Sequence, residues 1–193
     1  MNALERMITE KGVVIGEDIL KVDMFLNHQI DVNLIQQMGV DFYEHFKDRP
    51  ITKVLTIEAS GIAIACFTAL LFDVPVVFGK KGYHKNVGSN VYSAKVYSFT
   101  KGVSYDITVM KDYLTEKDKV LFVDDFLANG AAAEGMMQII AQAGAALQGI
   151  GIAIEKGFQE GGDKLRAKGI DLYSLAIVDK MEAGRIILRE QDT

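Results

Sequence analysis

The segment LFVDDFLANG at residues 121–130 runs on into AAAEGMMQII, and it sets two adjacent carboxylates, Asp124 and Asp125, between a short apolar run and a run of strong helix formers. Acids so placed have a definite chemistry open to them. Neighbouring carboxylates hydrogen-bond the hydroxyls of a polyol or approach a metal. The N–H groups of a helix's first turn have no intrahelical partners and can hold a phosphate. A sugar phosphate satisfies both features at once. The same pattern also suits a plain solvated turn with a helix cap, so spacing alone leaves both readings open.

Such residues work only if a scaffold holds them. The run 121–123 reads as a strand covered on both faces, Asn129-Gly130 as a break, 131–143 as a helix and 150–154 as the next strand. That is a βαβ unit, which gives parallel pairing, a right-handed crossover and ligands beyond the carboxyl ends of the strands. Residues 53–57 form another candidate strand, followed by Glu58-Ala59-Ser60-Gly61 and an apolar helix to about Phe72. This turn is either an anion-sized loop at a helix start or an ordinary βα connection. Residues 76–78, 94–99 and 107–110 read as further strands, and the apolar segment 19–31 as strand or loop packed on the core. The expectation is an α/β fold with a mainly parallel sheet flanked by helices. The polar stretch from Gly79 to about Ser93 has no apolar period and reads as a mobile lid or a surface hairpin.

Composition sets the limits. The 193 residues, 49% hydrophobic and 24% charged, suit one ordinary domain spanning 1–193. A net charge of −5 and a pI near 5.2 argue against a nucleic-acid-binding surface. The one cysteine, Cys66, lies in an apolar segment and reads as a buried structural thiol. His28, His45 and His84 lack ligand spacing, so no protein metal site is expected. The N-terminus lacks a signal-peptide core and no run reaches membrane-spanning length, which implies a soluble cytoplasmic protein without a membrane partner.

The aliphatic run, the Asp124-Asp125 pair, three further residues and a small polar residue before Gly130 resemble the ribose-phosphate loop of the type I phosphoribosyltransferases. The resemblance implies a catalytic pair, Asp124 and Asp125, that bonds the ribose 2′ and 3′ hydroxyls of phosphoribosyl pyrophosphate. It implies that Ala128, Asn129, Gly130, Ala131 and Ala132 wrap the 5′-phosphate. It further implies a pyrophosphate loop at Glu58-Ala59-Ser60-Gly61 with Lys80-Lys81 nearby, Mg²⁺ carried in on the substrate, and a homodimer. The sequence departs from the common pattern where most members carry Thr or Ser in place of Asn129, and often Thr in place of Ala133. Hypoxanthine-guanine members place an aspartate assigned as base where this chain has Ala128, which argues against that branch.

The strings LKVDMFLNHQID at residues 20–31 and IEKGFQ at 154–159, together with DDFLANG, are similar to the xanthine-using branch of that family over nearly the full chain. There a small hood, here about 1–31 and 155–193, covers the purine. Leu20 and Asn27 would contact the base and Lys156 would complete its pocket. The side chains suit that task. Xanthine carries oxo groups at C2 and C6, Asn27 can donate and accept, and Lys156 offers donors and a positive charge. Leu20 supplies an apolar wall, and Phe126 is a candidate for stacking on the ring. The expected reaction is phosphoribosyl transfer to xanthine in purine salvage, giving xanthosine 5′-monophosphate and diphosphate. Two alternatives remain: a guanine or hypoxanthine enzyme, and a non-catalytic sensor of the purine-repressor type. Such repressors carry an added DNA-binding module, for which this chain leaves no evident room.

Overall fold

In the computed structural model, residues 1–16, 18–82, 90–98, 102–182 and 184–191 are described. The chain opens with α1 (Ala3–Lys11), which starts at Asn2 because the two ends of a capping box satisfy each other. Glu5 N–H donates to the Asn2 side chain at 2.9 Å, and the Glu5 carboxylate accepts from Asn2 N–H at 2.8 Å. β1 (Val13–Ile15) and β2 (Ile19–Lys21) form a separate antiparallel pair, followed by a π-helical turn over Asp23–Asn27. α2 (Val32–Phe46) is capped by Asp31. Then come β3 (Lys53–Ile57), α3 (Gly61–Phe72), β4 (Val76–Lys81), β5 (Val91–Ser98), β6 (Val103–Met110), β7 (Lys119–Leu127), α4 (Ala131–Gln142), β8 (Ala146–Lys156), α5 (Gly161–Ala167), β9 (Leu172–Glu182) and β10 (Arg185–Leu188).

Eight strands make one sheet in the order β10-β9-β8-β7-β3-β4-β6-β5. The central neighbours β9, β8, β7, β3 and β4 pair in parallel, while β10, β6 and β5 add antiparallel edges. Successive strand residues face opposite sides. Val54, Leu121 and Val123 therefore join a core with α1, α2 and α3, and Leu55, Val120 and Phe122 join a second with α4 and Leu165 of α5. This is the α/β architecture expected, with strands covered on both faces.

Three details depart from the sequence expectation. The strand expected at 121–123 continues through Asp124 and Asp125 to Leu127, because β8 on its far side reaches Lys156 and goes on pairing with it. The acid pair thus lies within the strand, beyond the last β3–β7 partners, Leu55 and Phe122. Cys66 is exposed, not buried. Its helix α3 is apolar on every side, and the outward face carries Cys66 and Leu70, the latter 73% exposed. Of the expected lid, Gly79 lies in β4 and Val91–Ser93 in β5, and 83–89 fall outside the described residues, as does His84. Among the described residues no helix is long and apolar enough to cross a membrane.

Candidate active site

Two βα turns meet at the carboxyl edge of the central strands. At β7 the carboxylate of Asp124, only 8% exposed, accepts a hydrogen bond from Asp125 N–H at 3.0 Å. Burial, with the neighbouring Asp125 charge second, pushes the Asp124 carboxyl well above its ordinary range. Across from it α3 begins at Gly61, where a Cβ would stand 2.9 Å from Asp124 Oδ1 and 2.1 Å from Thr56 Oγ1. Only glycine lets the two turns approach this closely. Thr56 Oγ1 is buried and, among the described residues, has no hydrogen-bond partner. The peptide bond between Glu58 and Ala59 in that turn is cis, and Glu58 accepts from Lys81 N–H at 2.6 Å.

Beyond Asp125 the chain closes into the loop from Ala128 to Ala132. Gly130 takes φ +88°, which an L side chain rarely adopts, and this reverses the backbone just before α4. Asn129 stands one residue before Gly130, the cap position of α4, and its side-chain oxygen accepts from Ala131 N–H at 3.0 Å, an Asx-type turn that braces the bend. The remaining N–H groups of the first turn of α4 lack intrahelical partners, as at any helix start.

The same loop residues Ala128, Asn129, Ala131 and Ala132 line a cleft of about 250 Å³ with Lys156 and Tyr105. The Lys156 ammonium donates to the Asp18 carbonyl at 2.6 Å, which ties the end of β8 to the hairpin turn between β1 and β2. Burial lowers the Lys156 pKa from its ordinary range, with Asp18 acting against the shift. Of the other two residues expected at the base, Leu20 is buried in the core beneath α1 and α2, and Asn27 is exposed at the end of the π-helical turn. Phe126 packs partly buried on that core and lines a small cavity behind the loop with Asp124 and Gly130.

Sequence reasoning missed several residues. Tyr105 lines the cleft, and its phenol is pushed up by burial and then by the Asp124 charge. Lys81 places its ammonium 5.8 Å from the Tyr105 ring centre. The expected lysine pair is divided by strand alternation, since Lys80 lines a groove with Phe78 and Thr108 instead. Glu155, one residue before Lys156, is 2% exposed and receives two 2.7 Å hydrogen bonds from Arg166 as well as one from Ser174. Period-two patterning hinted at opposite faces for Glu155 and Lys156, but nothing local paired Glu155 with Arg166.

Burial would raise the Glu155 carboxyl, yet the Arg166 and Ser174 bonds outweigh it and hold the group below its ordinary 4.5. The stabilisation is therefore complete above that value and is lost as pH falls through the lower folded one. Glu155→Gln should lose about 2 kcal/mol at pH 7, below the range for fully buried pairs because Arg166 is partly exposed. The variant should also show a smaller loss of stability on acidification. Urea unfolding at pH 7 and pH 4 checks both.

Comparison with known proteins identifies the family. The chain is 55% identical to the xanthine phosphoribosyltransferase of Ruminiclostridium cellulolyticum over 190 residues, covering 98% of this chain and 100% of the relative. It is 52% identical to the xanthine phosphoribosyltransferase of Clostridium novyi, with the same two coverages. The chain belongs to the xanthine phosphoribosyltransferase family. No protein-family model matches it. The fold of this xanthine phosphoribosyltransferase family member is that of solved adenine phosphoribosyltransferases. The Giardia lamblia structure superposes with a TM-score of 0.75 at 21% identity, covering 92% of this chain and 98% of that one. The Rhodothermus marinus structure gives 0.73 at 21% identity, covering 91% and 98%. These two likenesses concern the type I phosphoribosyltransferase fold.

Proposed function

We infer that this chain transfers the phosphoribosyl group of phosphoribosyl pyrophosphate to xanthine, giving xanthosine 5′-monophosphate and diphosphate for purine salvage. One observation carries the reading: in a chain of this family, the loop at the start of α4 lines both a small cavity with the buried Asp124 and a cleft with Lys156. The sugar lies over Asp124 and Asp125, its 5′-phosphate on the N–H groups of Ala128, Asn129, Gly130, Ala131 and Ala132. The base faces Lys156, with Asn27 and Leu20 contributed by the N-terminal segment. The whole chain, 1–193, works as one domain, its hood drawn from about 1–31 and 155–193; the Lys156–Asp18 bond joins those two parts.

The bond from C1 to the pyrophosphate oxygen breaks and the electron pair leaves with pyrophosphate. Positive charge builds on the ribose as in other glycosyl transfers. The purine nitrogen then forms the new bond to C1 from the opposite face. The protein aligns the partners and stabilises developing charge. Asp124 and Asp125 hold the hydroxyls and lie near the forming cation. A base that is ionised when bound beside the Lys156 ammonium needs no proton acceptor from the protein. The leaving group carries its own Mg²⁺, which offsets its negative charge; among the described residues no three His, Cys, Asp or Glu side chains are grouped to cage a metal.

Nucleotide formation from a panel of xanthine, guanine, hypoxanthine, adenine, uracil and orotate tests this directly. Xanthine should be used above the others. Turnover of another purine instead would overturn the substrate, and binding of phosphoribosyl pyrophosphate without turnover would indicate a sensor.

We further propose a cytoplasmic homodimer, with no nucleic-acid or membrane partner. The support is the outward face of α3, where Leu70 is 73% and Leu71 41% exposed beside the exposed Cys66. Contiguous apolar surface on a folded chain marks an interaction site. Leu70→Glu should convert the dimer to monomers, which sedimentation velocity would detect, and should abolish the rise of melting temperature with protein concentration.

A further inference from the structure

We propose that Gly161 and Arg166 are positioning residues for the 5′-phosphate loop: the start of α5 forms a backstop behind residues 128–130, and the Arg166–Glu155 pair holds that backstop in place. The inference rests on the phosphoribosyltransferase reading only for the identity of what the loop binds.

A loop that presents N–H groups to an anion needs its backbone fixed from behind, since those groups carry no side-chain constraint of their own. Behind this loop stands Gly161. Its N–H donates to the Ala128 carbonyl at 3.1 Å. A Cβ there would lie 2.3 Å from Ala128 O, 2.7 Å from Gly130 N and 2.8 Å from the Asn129 carbonyl carbon. All three are backbone atoms of the phosphate loop, so a methyl group could enter only by moving the loop itself. From the loop's side, a Cβ on Gly130 would come 3.3 Å from Gly161 Cα. The two glycines are packed backbone to backbone.

The backstop in turn depends on its anchors. α5 spans seven residues, too few for a helix to persist by itself. Leu165 fixes one side of it in the core under α4. Arg166 fixes the other through its two bonds to Glu155, and Gly162 leaves the space for them: a Cβ there would stand 1.9 Å from Glu155 Oε1. Glu155 is buried at the end of β8, a rigid element of the sheet. The bidentate pair therefore ties a short mobile-prone helix to the sheet at fixed angle, as a guanidinium fork does and an ammonium does not.

Titration calorimetry with ribose 5-phosphate, alongside KM for phosphoribosyl pyrophosphate and for xanthine, tests the backstop in the full chain. Gly161→Ala should weaken ribose 5-phosphate binding and raise the phosphoribosyl pyrophosphate KM by about tenfold to 100-fold. Its xanthine KM should stay within about twofold. Arg166→Met should move the same two quantities in the same direction, and it carries the test if Gly161→Ala does not fold. Gly169→Ala is the control for mere softening of α5. Gly169 closes the same helix at φ +73° with nothing within 4 Å of an added Cβ. The variant should lose stability yet bind ribose 5-phosphate as the parent does. Folded Gly161→Ala or Arg166→Met protein with parental affinity would overturn the proposal, as would a Gly169→Ala variant weakened as much as either. Parental protein that binds no ribose 5-phosphate would remove the functional reading, and this inference with it.

Discussion

Asp124→Asn should cut nucleotide formation by about 100-fold and at the same time raise the melting temperature by about 2–4 °C. The two effects have one origin. The carboxylate is nearly sealed from water and lies next to Asp125, so the fold disfavours its ionised form and holds its pKa well above the ordinary range. A raised carboxyl pKa means that ionisation opposes folding, so this group's contribution to stability improves as pH falls and is worst at neutral pH. Asparagine removes that penalty. It can still accept from Asp125 N–H through its side-chain oxygen, which preserves the local geometry. What it lacks is the negative charge that, on the proposed reaction, binds two ribose hydroxyls and favours the cation forming on the sugar. In the parent protein the acid limb of the pH–rate profile should lie above that of an ordinary aspartate, and it should vanish in the variant. A variant that loses both activity and melting temperature would separate the acid from this role and leave it as a structural residue.

Lys156→Met should lower kcat/KM for xanthine by about 100-fold, the loss of one charged hydrogen bond in a half-buried site. Phosphoribosyl pyrophosphate binding should change little, because the phosphate loop is held by its own glycine and by α5. Burial lowers the Lys156 pKa, so the parent should lose xanthine turnover on the alkaline side before an ordinary lysine would titrate. Methionine should flatten that limb and narrow the preference between xanthine and hypoxanthine, which differ at C2. Rates measured with both bases from pH 7 to pH 10 would check this. An unchanged preference would move recognition of the second oxo group elsewhere in the pocket.

How much of this the chain discloses by itself depends on how local each interaction is. The strand–turn–helix around Asp124 was legible because a short apolar run, an Asn-Gly break and an alanine-rich helix are all signalled within about fifteen residues. The N-terminal hairpin was less so: β1 and β2 have three residues each, too few for a period to declare itself. The length of β7 was not legible either. Two aspartates look like the end of a strand, and they stay in one here because β8 continues to pair with them. Cys66 was misjudged for a related reason. An apolar helix reads as buried, and only the arrangement of its neighbours reveals that one face is left uncovered among the described residues.

The sequence by itself determined the α/β class and the family, since both follow from residue type and near-neighbour order. The tertiary structure alone decided which of Lys80 and Lys81 faces the site, that Tyr105 lies close enough to Asp124 to feel its charge, and that Gly161 is locked against the loop 128–130. Those contacts join residues far apart in sequence, and no local propensity encodes them. They are fixed by strand register and by the packing of α5, which are set only when the sheet and both its covering layers close together.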